Sequence, residues 1–164
     1  MINKDVLTSI IKDARTEGST LKGIAFCSPG GHRILKYLYK TEWPDFSIAG
    51  AARQILEPFI ESADNQVWSV ILKELPASHR KHRDYWNNVP QLVNVREDII
   101  KEVIRETPTY PVCIVQIYSP RLAVYFRYHK LINIKYSISK AASQIFENEM
   151  SRRYPALWNR IMRI

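Results

Sequence analysis

The segment RRYPALWNRIMRI (152–164) sets four arginines, Arg152, Arg153, Arg160 and Arg163, around Tyr154 and Trp158. Arginine can clamp phosphate or guanine edges through its planar fork, and an exposed tyrosine can stack or bond a phosphate. Arg153, Arg160 and Arg163 are compatible with one helical side, which leaves Leu157, Ile161 and Ile164 for a core. Lys140 adds a cation upstream. HRKHR (79–83) supplies Arg80, Lys81 and Arg83 next to Tyr85 and Trp86, a composition suited to an arm on phosphates or in a minor groove. These eight basic residues form the expected nucleic-acid surface. Plainer readings stand beside it: a solvated basic face where cations suit the end of a helix dipole, and a soluble tether.

The charge is unevenly placed. Of the formal +8, residues 4–74 contribute nothing, with nine Lys/Arg against nine Asp/Glu. Residues 97–164 hold eleven against six, and from 108 onward nine basic groups face only Glu147 and Glu149. A neutral half and a basic half imply different partners. The basic half is expected to bind nucleic acid, DNA before RNA, or else an acidic protein; self-association into a homo-oligomer is a further expectation.

Other chemistries have weaker support. His79 and His82 have an i, i+3 spacing, but a third ligand from His32, His129, Cys27 or Cys113 lacks a closing motif, so no metal or cofactor is expected. There is no P-loop, no GxGxxG and no nucleophile elbow, and Glu147 and Glu149 point different ways on a helix. The chain reads as a non-enzyme. Cys27 and Cys113 lie in apolar runs as reduced thiols. The charged MINKDVLTSIIKDAR start is unlike a signal peptide, and no apolar stretch is long enough to span a bilayer; a cytoplasmic protein without a membrane partner is expected.

The elements that must position these residues come in two similar sets. FSIAGAARQILE (46–57) and YSISKAASQIFE (136–147) share Ser47/Ser137, Ile48/Ile138, Ala51/Ala141, Ala52/Ala142, Gln54/Gln144, Ile55/Ile145 and Glu57/Glu147. Trp68 and Ile71 correspond to Trp158 and Ile161, FCSP (26–29) to IYSP (117–120), and KDVLTSIIKD (4–13) to EDIIKEVIRE (97–106). The order is kept while the offset drifts by a few residues, as expected of a tandem duplication of a unit of roughly 70 residues. The expected division is 1–75, a basic and aromatic linker 76–96, and 97–164.

Within each unit the apolar spacing predicts a helix (5–16 and its counterpart), then a short strand, GIAFC (23–27) or PVCIVQIY (111–118). Ser28-Pro29 and Ser119-Pro120 read as N-caps followed by first-turn prolines, opening helices over 30–41 and 121–131. Leu122, Val124, Phe126 and Tyr128 alternate, so a hairpin over 112–128 competes with the second helix. A serine-capped helix with paired alanines and a final helix with a tryptophan complete each unit. A lone strand leaves its backbone groups unpaired, so the two strands are expected to pair across a pseudo-twofold axis in one compact, mostly α domain.

The consecutive helices resemble helix-turn-helix domains in outline only. The separation of Ala52 from Val67 is too long for the standard turn, and no glycine marks it. The function expected is a DNA-binding regulatory or accessory protein, such as a transcription regulator, using the second unit. The alternative is a non-enzymatic adaptor or assembly component with two related helical docking faces.

Overall fold

The computed structural model describes residues 2–41, 47–76, 84–86, 95–107 and 114–162. Along the chain these form α1 (Lys4–Arg15), β1 (Gly23–Cys27), α2 (Pro29–Thr41), α3 (Ile48–Ala63), α4 (Asn65–Glu74), α5 (Glu97–Glu106), β2 (Ile114–Tyr118), α6 (Pro120–Ile132), α7 (Ile138–Arg153) and α8 (Pro155–Met162). The order helix, strand, helix, helix, helix occurs twice. The protein is a mostly helical compact domain with one small sheet.

β1 and β2 pair antiparallel, with Gly23 opposite Tyr118 and Cys27 opposite Ile114. Each strand therefore satisfies the backbone groups of the other on one edge. The central pair is Ala25 with Gln116, residues that also correspond in the sequence alignment of the two halves. A twofold relation between the strands would pass through this pair. One face of the ribbon, with Ile24, Phe26, Val115 and Ile117, is buried; Ala25, Ile114, Gln116 and Tyr118 face outward.

The halves exchange contacts reciprocally. α1 packs on α6 and α5 on α2; α3 packs on β2 and α7 on β1; α4 packs on α6 and α8 on α2. α3 and α7 pack on each other. The hydrogen bonds follow the same exchange. The Asn3 backbone N–H donates to Tyr128 Oη at 2.8 Å, and the Arg96 N–H to Tyr37 Oη at 2.9 Å. Ser28 Oγ accepts from the Gly31 N–H and donates to Glu147 Oε1 at 3.0 Å, while Ser119 Oγ accepts from the Leu122 N–H and donates to Glu57 Oε1 at 3.0 Å. Each serine thus caps its own helix and ties it to α3 or α7 of the other half.

The hairpin over 112–128 does not form, because residues from Pro120 onward are α6. Its alternating apolar pattern has a different cause. α6 lies between α1, α4 and β1, and Leu122, Ala123, Val124, Tyr125, Phe126 and Tyr128 are all buried. A helix enclosed on several sides loses the narrow apolar stripe that marks a surface helix.

Paired alanines Ala51 and Ala52 are fully buried, as is Ala142, which suits the close approach of α3 and α7. The expected linker is partly docked. The Tyr85 N–H donates to Gln54 Oε1 at 2.9 Å and Trp86 Nε1 donates to the Ala51 carbonyl at 3.0 Å, so residues 84–86 lie against α3. No helix among the described residues is long and apolar enough to cross a membrane.

Candidate nucleic-acid interface

Four of the eight expected basic residues, Lys140, Arg152, Arg153 and Arg160, lie within the described residues. Arg80, Lys81, Arg83 and Arg163 fall outside the described residues, as do His79, His82 and Cys113. Arg152 and Arg153 are the last residues of α7, whereas Arg160 is on α8 beyond the break at Tyr154. The single helical side expected for Arg153 and Arg160 is therefore split between two helices, since Pro155 cannot continue α7 and instead begins α8.

The described arginines are also engaged. Arg152 Nη2 meets Glu149 Oε2 at 2.8 Å, and Arg153 Nε meets the same oxygen at 3.4 Å. The two guanidinium groups hold the Glu149 carboxyl below its ordinary range, chiefly through the Arg152 hydrogen bond. Arg153 also sits over the Trp86 ring, 5.2 Å from its centroid. Arg160 pairs with Glu97 on α5. Tyr154 is buried instead of exposed, because its ring packs toward Trp86 at 6.3 Å. Trp158 is half-buried against the main core. The aromatic part of the expected surface is thus structural.

Lys140 differs. It is exposed in the first turn of α7, where its backbone N–H donates to the capping Ser137 Oγ, and its ammonium group has no partner among the described residues. α7 packs along β1, and Ser143 Oγ donates to the Cys27 carbonyl at 3.0 Å, which sets the start of α7 beside the ribbon. On the other side, Ala49 in the first turn of α3 joins Lys22, Gly23, Ala25, Gln116 and Tyr118 around a shallow depression of about 460 Å³. Neither α3 nor α7 carries an acidic residue in its first turn. The start of α3 and Lys22 therefore border the open ribbon face, where the partial positive charge of the helix end adds to that of the lysine, and α7, with Lys140 exposed in its first turn, packs along β1.

Sequence reasoning missed this face. The outward residues Ala25, Ile114, Gln116 and Tyr118 are uncharged, and only the strand pairing brings them together. Alternation along the strands was the available signal. It also missed Arg33, counted only as a charge of the neutral half. Arg33 is buried and donates to the Thr107 carbonyl at 3.0 Å and the Ile161 carbonyl at 3.3 Å, near the ends of α5 and α8. Cations suit helix C-termini, so Arg33 serves the packing of two helices on α2.

Of the candidate metal ligands, Cys27 is half-buried, His32 is buried in α2, and His129 Nε2 lies 3.1 Å from Asp64 Oδ2. Among the described residues, no group of three or more His, Cys, Asp or Glu could hold a metal ion. No protein-family model, curated protein or solved structure matches this chain.

Proposed function

We propose that the chain binds duplex DNA as a regulatory or accessory factor, with the β1–β2 ribbon as its reading surface. The observation that carries this reading is the antiparallel ribbon itself, buried on one face and open on the other. A two-stranded ribbon has the width to enter a major groove. A dyad through Ala25 and Gln116 would match the local dyad of the duplex, so both DNA strands meet similar elements. Gln116 can bond an adenine edge bidentately, and Ala25 and Ile114 can contact thymine methyl groups. Lys22, Lys140 and the starts of α3 and α7 supply phosphate contacts, which position without reading sequence.

A second reading rests on a separate feature. Leu131 and Ile132 at the end of α6 and Ile134 in the α6–α7 connection are exposed, Ile134 at 84%, beside Lys130 and Lys135. An apolar loop flanked by cations suits an acidic protein surface with an apolar centre, as an adaptor would use.

Titration of labelled duplex DNA, single-stranded DNA and RNA over a salt series separates these readings. The DNA reading expects duplex binding whose log affinity falls linearly with log salt. Binding weaker than about micromolar at low salt, in the range of non-specific contacts, contradicts it and leaves the adaptor reading.

A further inference from the structure

Between α3, α4, the start of α6 and the end of α7, Arg53, Arg121 and Arg153 line a depression of about 460 Å³ that also contains Glu57, Glu61 and Asp84. This falls within the range of roughly 300–1,000 Å³ typical of small-molecule sites. Pro58, Trp68, Leu72 and Trp86 complete its walls. We propose that this pocket binds a small zwitterion of the amino-acid class, its carboxylate held by arginine and its ammonium group by Glu61 and Asp84.

The guanidinium groups are held in place by bonds that leave donors over. Arg121 Nε donates to the Leu75 carbonyl at 2.9 Å, and its two terminal amino groups have no partner among the described residues. Arg53 is 8% exposed and meets Glu57 through Nη1 at 3.4 Å, its one ion pair among the described residues. Arg153 is fixed over Trp86. A planar fork oriented in this way matches a carboxylate.

The carboxylates decide the class of ligand. Glu57 is occupied by Ser119 and Arg53, and one oxygen of Asp84 accepts the Trp86 N–H at 2.9 Å. Glu61 has no ion-pair partner among the described residues. A simple anion would meet three cations and three acids on the pocket wall and gain little net attraction. A molecule with both charges can address each set. The apolar wall leaves room for its side chain.

The corresponding place in the other half is closed. There Gly30 stands where Arg121 does, Ser143 where Arg53 does, and Trp158 and Met162 where Trp68 and Leu72 do. A Cβ on Gly30 would lie 2.7 Å from Trp158 Cη2 and 2.8 Å from Met162 Sδ, so indole and thioether fill that space. Two related positions thus differ in openness and in guanidinium content, which general packing does not require.

The test uses the full chain without nucleic acid, so its failure is separate from that of the DNA reading. Calorimetric titration and thermal unfolding are run with leucine, glutamate and arginine, and with acetate, inorganic phosphate and ethylamine as single-charge probes. Saturable binding and a raised Tm with at least one amino acid, and with none of the single-charge probes, are expected. Arg121→Gln and Glu61→Gln should each weaken that binding by about tenfold or more, the loss of one charge-assisted contact. Lys101→Gln, exposed on α5, should leave it unchanged. No binding at millimolar amino acid overturns the proposal, as does equal binding of acetate or phosphate. Unaltered affinity in a folded Glu61→Gln variant also overturns it, and because Glu61 is exposed that variant remains informative if Arg121→Gln fails to fold.

Discussion

Ser28 and Ser119 each make two bonds through one hydroxyl, a cap to their own helix and a bond to a glutamate of the other half. Ser119→Ala removes both and leaves a Glu57 oxygen short of a donor. A destabilisation of about 1–2 kcal/mol is expected from urea unfolding, and the Ser119→Ala/Glu57→Gln double-mutant cycle should show coupling. The capping role was legible from Ser-Pro alone, and the repeat of Glu57 as Glu147 singled out both acids. That serine and glutamate meet across the halves was not legible, because it depends on which half each helix packs against. His32 makes a second residue-scale prediction. Burial, and then Lys36, push its pKa below the ordinary 6.5, and its Nδ1 has no hydrogen-bond partner among the described residues. A depressed histidine pKa favours the folded state above the unfolded value and loses that contribution as pH falls through the folded value. The urea midpoint should therefore drop as pH falls below 6.5, and His32→Met should flatten that part of the curve. An unchanged pH profile in the variant would place the acid sensitivity elsewhere.

At the scale of elements, helix order and strand positions were readable from apolar spacing, caps and comparison of the halves. β1 occupies the residues expected, and α6 gained its helical reading mainly from its counterpart α2. What sequence could not supply was the break between α7 and α8 as a separation of Arg153 from Arg160, or the pairing of these arginines with Glu149 and Glu97. Ion pairs depend on which helices become neighbours, and α5 meets α8 only in the folded chain. Reversal of Arg160 to Glu should consequently disturb the α5–α8 contact, by no more than about 1 kcal/mol since both side chains are nearly half exposed. Packing at the start of α2 is less forgiving. Gly30→Ala forces its new methyl against Trp158 and Met162 and is expected to cost about 1–3 kcal/mol. Trp68, buried and edge-on to Tyr125 at 6.2 Å, should cost about 3–5 kcal/mol on change to alanine. A near-neutral result for either change, read by chemical denaturation, would contradict the packing described.

For the whole molecule, the exchange of helices between halves means that neither half retains its core alone. α1 needs α6, α5 needs α2, and both strands need each other. Thermal unfolding followed by tryptophan fluorescence and by circular dichroism should give one coincident transition; two separated transitions would indicate independent halves. The net charge of +8 was legible and suggested a polyanionic partner, but the sequence pointed to the arginines around Tyr154, whereas the open surface beside helix N-termini lies at the ribbon. The reason is physical: guanidinium groups near carboxylates on neighbouring helices are drawn into ion pairs, while uncharged strand residues come together only through pairing. DNA binding at the proposed ribbon face is tested by duplex affinity at fixed low salt for a Gln116→Glu/Lys140→Glu variant beside Arg160→Glu, with both folds checked by circular dichroism. The ribbon variant is expected to lose affinity by at least about tenfold and to show a shallower salt slope, while Arg160→Glu changes it little. Equal affinity of the ribbon variant and the parent protein, with a large loss in Arg160→Glu, would contradict DNA binding at the ribbon.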